Sequence, residues 1–263
     1  MLHRGYTKMT LKALIFDVDG TLADTERDGH RVAFNRAFAE AKLDWNWSVE
    51  LYGELLAVTG GKERIRHFLN NHLPTFLEQY QEEELVELIK KLHARKTHFY
   101  TTLLSEGAIP LRSGVKRILD EAREQNYRLA IATTTTPENV TSLLESTLGK
   151  ESIDWFEVIA AGDIVPAKKP AADIYTYTLD KMNLKAEDCI AFEDSSNGIQ
   201  SSLGANLKTI ITQNHYTESH DFTGAAVVLD QFGEPDDACT CIAGDINGAT
   251  YVSMDTINYL FES

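Results

Sequence analysis

Along the chain, short uninterrupted apolar runs alternate with longer stretches in which apolar residues recur every three or four positions. The first run is Leu14-Ile15-Phe16, followed at once by Asp17-Val18-Asp19-Gly20-Thr21. Short runs bounded by turn residues predict buried strands, and the three-to-four spacing predicts amphipathic helices. Further strands are expected at Leu129-Ala130-Ile131-Ala132, 156–160, 189–192, 208–212 and 227–229. Helices are expected between them: one capped near Ser113 and running to Asn126, one opening at Pro137, and others over 173–182 and 199–205. This alternation predicts an α/β fold, a Rossmann-like parallel sheet joined by right-handed crossovers.

The stretch from Thr25 to Ile109 breaks the alternation. Val32, Ala33, Phe34, Ala37, Phe38 and Ala41 share one face, and helices are expected over 51–58 and 65–73, separated by Thr59-Gly60-Gly61. Residues 81–100 form a long amphipathic pattern with Leu85, Leu88, Ile89 and Leu92 in one stripe. No strand is expected here, and about eighty helical residues are enough for a domain. The expected organisation is a discontinuous core of residues 11–24 and 109–232, a helical cap of 25–108, a leader at 1–10 and a C-terminal extension at 233–263. The extension is weakly patterned and reads as loop plus a terminal helix. Trp45 and Trp47 read as exposed, in a polar linker that suits cap packing or a partner surface.

Composition narrows the class. At 263 residues the chain accommodates a large core and one smaller domain. A formal charge of −15 argues against nucleic acid or an anionic membrane as a partner. No apolar run approaches membrane-spanning length. An anionic ligand would then need local cations: a metal and a few placed Lys or Arg. The three cysteines, Cys189, Cys239 and Cys241, form no framework and fit a reducing compartment. Cys189 reads as core, and two tail thiols alone are weak support for a metal. Residues 1–10 lack the apolar segment of a secretory signal, which leaves a frayed leader or a trimmed transit peptide. A monomer is expected, cytoplasmic, or stromal in a eukaryotic phototroph.

The candidate chemistry begins at Asp17 and Asp19. Two carboxylates two residues apart at a buried strand end are costly unless a cation lies between them. Mg²⁺ prefers carboxylate oxygens and suits that position. Gly20 lets the backbone turn sharply. An ordinary strand followed by a solvated acidic turn would show the same five residues.

The DVDGT segment after a buried strand resembles the first motif of the haloacid dehalogenase-like (HAD) hydrolase superfamily. The resemblance implies that Asp17 is a nucleophile forming an aspartyl-phosphate, with Asp19 as general acid/base. Three further motif positions are matched in order. Thr133, at the end of a strand, would hold a phosphoryl oxygen. Lys169, directly before Pro170, would neutralise transition-state charge, with Lys168 beside it a solvated loop residue. Glu193-Asp194, after another strand, would complete a Mg²⁺ site with Asp17 and the backbone carbonyl of Asp19. Asp19 must give a proton and later take one, so a raised pKa is expected for it. Asp24 is expected to touch substrate hydroxyls. The Gly60-Gly61-Lys62-Glu63-Arg64 loop is expected to fold over the site. Lys62, Arg64 and Lys96 are candidates for a second anionic group, and Thr134 for the pocket wall.

The segments DVDGTLADTE, TGGKER, HARK, ATTTTPENV and KKPAADIY are similar to the CbbY-like phosphatases. That resemblance implies xylulose-1,5-bisphosphate phosphatase activity, removing an inhibitor of Rubisco in a carbon-fixing cell. The β-phosphoglucomutase branch shares the core residues. Its His four positions after the conserved Thr falls on Gly29 here, one residue before His30, which favours the phosphatase; His30 itself reads as a helix or hinge residue. A non-catalytic HAD scaffold used for metabolite sensing is the third reading. It predicts decay of Asp17, Asp19 or Lys169, and all three are intact.

Overall fold

The computed structural model describes residues 10–263. The leader expectation for 1–10 therefore lies, apart from Thr10, outside the described residues. Strands β1 (Ala13–Phe16), β2 (Arg128–Ala132), β3 (Phe156–Ala160), β4 (Cys189–Glu193), β5 (Lys208–Thr212), β6 (Val227–Leu229) and β7 (Cys241–Ala243) form one sheet in the order β3-β2-β1-β4-β5-β6-β7. All neighbours are parallel except β6 and β7. The chain leaves β1 towards β2 on one side and reaches β4 on the other. Their C-terminal ends therefore open a crevice at β1, where ligands of such sheets bind.

Burial on both faces explains why the strands read as continuous apolar runs. Successive side chains alternate faces: Leu14 and Phe16 join one buried cluster, Ala13 and Ile15 the other. Phe16 stacks on Phe192 of β4 with ring centroids 4.4 Å apart, which holds the two acidic strand ends side by side.

After the β1 loop come a π-helical turn (Glu26–His30) and helices α1 (Arg31–Glu40), α2 (Val49–Leu55), α3 (Gly61–His72), α4 (Pro74–Leu77) and α5 (Glu82–Ser105). They contain no strand among the described residues and enclose a core of their own with Phe34, Phe38, Tyr52, Ile65 and Leu92. Trp45 and Trp47 are buried in this core, not exposed, with Phe38 edge-on to both. Helices α6 (Val115–Glu124), α7 (Pro137–Leu148), α8 (Asp173–Met182) and α9 (Ser196–Gly204) lie between the strands. Ser113 does not cap α6; the N-cap is Gly114 at φ 82°, a left-handed position that suits glycine. The C-terminal stretch contains more than loop and helix. β7 adds an antiparallel strand, and α10 (Met254–Glu262) buries Ile257, Leu260 and Phe261 in the core shared with β1. Three residues beside a register shift are too few to show a strand period in sequence.

Candidate active site

The crevice collects the acidic strand ends around one ammonium. Asp17 follows β1, and Glu193 and Asp194 come from the end of β4; all three are buried. One carboxylate oxygen from each lies within 4.8 Å of the others. Lys169 reaches in from the loop before α8. Its Nζ donates to Asp17 Oδ1 and to Glu193 Oε1, both at 2.6 Å. Tyr175 of α8 donates to the same Glu193 oxygen at 2.5 Å, so Glu193 holds Lys169 in place. Asp194 Oδ2 accepts from Asn214 Nδ2 at 2.7 Å. Gly20, at φ 84°, allows this approach, because a Cβ there would overlap Asp194 Oδ2.

Burial pushes the Asp17 carboxyl up to about 7; the Lys169 ammonium opposes that rise and Glu193 adds to it. Burial likewise pushes Asp194 well above the usual carboxylate range, reinforced by Asp17 and Glu193. Burial alone would lower Lys169, but Asp17 and Glu193 outweigh it and keep the ammonium charged. Three carboxylates share one ammonium, and Glu193 Oε2 is buried with no hydrogen-bond partner among the described residues. This all-oxygen donor set fits a hard divalent cation such as Mg²⁺.

Asp19 is separate from that cluster, and its pKa shifts opposite to expectation. Its Oδ1 accepts from Thr25 Oγ1 at 2.5 Å and contacts His30 Nε2 at 2.8 Å. His30 Nδ1 lies 2.8 Å from Lys96 Nζ. An ammonium only donates, so Nδ1 accepts and the imidazole proton is on Nε2, aimed at Asp19. Burial raises the Asp19 carboxyl, but His30, Thr25 and Lys96 outweigh it and hold it well below the usual range. Lys96 is itself lowered to about 8 by burial, although Asp19 and Glu26 oppose the shift.

The π turn explains His30. The Arg31 amide bonds to Glu26 O, five residues back, which adds one residue to the turn. His30 is thereby buried against Tyr100 and turned to Asp19. Counting four positions from Thr25 therefore does not separate a phosphatase from a mutase, because the backbone absorbs the extra residue.

Two contiguous cavities meet here, of about 350 and 480 Å³. The inner one is lined by Asp17, Thr133, Lys169 and Asp194. The outer one is lined by Gly60, Gly61, Lys62, Lys96 and the first turn of α7. Asp19, Glu26, Arg64 and Thr134 line both. Asp24 lines neither. It is exposed, 3.7 Å from Arg112 Nε, because the chain turns it outward after the β1 loop. Lys62 is drawn to Asp163 at 2.5 Å. Arg64 donates to Tyr52 Oη at 2.9 Å and to two cap carbonyls.

Several site residues carry little sequence signal. Arg112 donates to Gly20 O, and to Thr212 O at 3.0 Å, Gln213 O at 2.7 Å and Asp230 O at 2.6 Å. One guanidinium thus ties the β1 loop to the segment carrying Asn214. Tyr175 was visible in the DIY segment, but only the packing of α8 aims its hydroxyl. Lys168 is not a free loop lysine; it pairs with Glu63 and Asp163, each at 2.9 Å.

The haloacid dehalogenase-like hydrolase family model matches residues 11–206. The plasmid-encoded CbbY protein of Cupriavidus necator is 44% identical over 225 residues, covering 86% of this chain and 87% of that protein. The chain belongs to the haloacid dehalogenase-like hydrolases. Within that family it groups with the CbbY proteins. A crystal structure of a Rhodobacter sphaeroides CbbY variant in complex with xylulose 1,5-bisphosphate superposes with TM-score 0.77 at 41% identity, covering 86% of this chain and 96% of that one. β-Phosphoglucomutase from Clostridium difficile shares the fold, with TM-score 0.66 at 23% identity over 84% of this chain and 92% of that one. Family membership and the similarity to CbbY proteins make this chain a phosphatase of the HAD hydrolase family. Among the described residues, no helix is long and apolar enough to cross a membrane.

Proposed function

We propose that this HAD hydrolase converts xylulose 1,5-bisphosphate to xylulose 5-phosphate and inorganic phosphate, with Mg²⁺ as cofactor, at the interface of a sheet core and a helical cap. The observation that carries this reading is the paired cavity joined at Asp19. Asp17 stands on one side, and the first turn of α7 with Lys96 lies on the other. A ligand with an anionic group at each end suits that layout. The bisphosphate bound to the R. sphaeroides CbbY variant is such a ligand.

Asp17 attacks phosphorus in line and the bond to the sugar oxygen breaks, leaving an aspartyl-phosphate. Lys169, charged and fixed between Asp17 and Glu193, neutralises the phosphoryl oxygens as charge develops on them. Thr133 contributes a neutral hydroxyl to the same oxygens. Asp19, ionised beforehand, relays to the departing sugar oxygen a proton received from His30 Nε2–H while Lys96 reprotonates His30 at Nδ1; the proton that Asp19 then takes from the hydrolysing water returns along the same chain. Asp17, Asp194 and the Asp19 carbonyl would hold Mg²⁺, which when bound supplies charge neutralisation at the transferred phosphoryl group.

Phosphate release from a panel of sugar mono- and bisphosphates, with and without Mg²⁺, tests the reading, with Asp17→Asn as control. Mg²⁺-dependent release from xylulose 1,5-bisphosphate, absent in the variant, is expected. Interconversion of glucose 1- and 6-phosphates with little release would replace it with a mutase. No turnover with intact Mg²⁺ binding would favour a sensing role.

A further inference from the structure

We propose that Glu63, Lys168, Asp163 and Lys62 form a charge latch that holds the first turn of α3, with Thr59 and Gly60 before it, on the core, which makes Lys168 and Glu63 positioning residues of the reaction. The four charges alternate across the boundary. Lys168 Nζ lies 2.9 Å from Glu63 Oε1 and 2.9 Å from Asp163 Oδ1, and Lys62 Nζ lies 2.5 Å from Asp163 Oδ2. Glu63 and Lys62 stand on the first turn of α3, while Asp163 and Lys168 stand on the loop between β3 and α8. The Lys168 side chain is only 16% exposed although it carries no catalytic charge.

The glycine before α3 is shaped for this contact. Gly60 has φ 98°, and a Cβ there would overlap Glu63 Oε2 and lie 2.8 Å from Lys168 Nζ. An uncharged clamp stands beside the latch: Asn197 Nδ2 on α9 donates to Thr59 Oγ1 at 3.1 Å and to Ala57 O at 3.3 Å. Closed in this way, the segment, expected as a loop but helical from Gly61, walls the outer cavity, whose lining includes Gly60, Gly61 and Lys168. Ion pairs at a partly exposed boundary are individually weak and weakened by salt. Those properties suit a closure that must open to admit substrate and release product. The latch is read from cap–core contacts and depends on no particular sugar.

The test uses the full chain with Glu63→Gln, Lys168→Gln, both together, and Lys168→Arg. Hydrogen exchange of residues 56–64 without substrate is measured alongside the kinetics of phosphate release. We expect faster exchange in the Gln variants. KM should rise about twofold to fivefold for Glu63→Gln and up to about tenfold for Lys168→Gln, with kcat maintained or raised. Because Lys168 is the latch partner of Glu63, the double variant should match Lys168→Gln alone. Lys168→Arg should stay near wild type, and high salt should move wild type towards the variants. The Glu63 side chain is 43% exposed, so its amide form leaves the fold intact and keeps the test decisive. Unchanged exchange and KM in Glu63→Gln, or losses that multiply in the double variant, would overturn the latch. If phosphate release fails for every sugar, the exchange data alone decide the latch, separately from the substrate assignment.

Discussion

Replacing Lys169 with Ala would remove the only cation among the described residues that contacts Asp17 directly. Its ammonium is 2.6 Å from both Asp17 and Glu193, and it is nearly fully buried. At that distance each gross attraction is ~6 kcal/mol for an effective dielectric of about 20. Most of this is offset by desolvation, and breaking one partner out of such a pair typically costs about 3–5 kcal/mol. The metal-free variant should therefore melt lower, and Mg²⁺ should raise its Tm more than it raises wild type, since the cluster then has no ammonium to oppose its acidic groups. Catalysis should suffer independently. Losing one preorganised donor costs about 10²–10³ in kcat, and Lys169 supplies a full charge, so we expect about 10³. Lys169→Arg should not recover it, because the wider, planar guanidinium does not fit between two oxygens meant for a point charge. Steady-state phosphate release at saturating Mg²⁺ and thermal melts with and without Mg²⁺ make the measurement. A Lys169→Ala enzyme within tenfold of wild type, with an unaltered Mg²⁺ effect on Tm, would refute the reasoning.

Other expectations follow from the same geometry. His30→Ala removes the Nε2–H donor from Asp19, so the Asp19 carboxyl should rise; kcat should fall about 10²-fold, and the Asp19 limb of the pH–rate profile should move to higher pH. An unmoved limb would show that His30 only packs. The raised Asp17 pKa means the metal-free fold favours its protonated form. That contribution is complete below the ordinary carboxylate value of 3.8 and is lost as pH rises through about 7. Asp17→Asn should therefore stabilise the metal-free protein more at about pH 8 than at about pH 5; equal stabilisation in urea melts at both would contradict the assignment. Gly20→Ala combines a φ of 84° with a Cβ placed on Asp194 Oδ2. It should cost about 2–3 kcal/mol in a urea melt and abolish activity, and a variant of native stability would mean that the loop relaxes freely.

The pattern along the chain was enough to read the parallel sheet, the all-helical segment after β1 and the acidic residues at strand ends. Those features are local: a buried parallel strand must be apolar throughout, so an acidic residue that ends one stands out. Asp17 and Glu193-Asp194 stood out for that reason, whereas Thr133 and Lys169 were picked out by the family resemblance. The tertiary structure decided what depends on direction and on contacts distant in sequence. A π turn shifts His30 by one position, which no residue count reveals, and that shift joins Asp19 to Lys96 and lowers a carboxyl expected to be raised. Asp24 has the right spacing, but the chain turns it to solvent. Trp45 and Trp47 lie in a polar stretch yet fill the cap core, because their partners come from helices elsewhere in the chain. Lys168 looks like any loop lysine until Glu63 and Asp163, 105 and 5 positions before it, are brought to either side of it. A charge at the end of a strand is set by its neighbours in sequence, whereas the partner of a charge is set by packing, and only the folded chain supplies the packing.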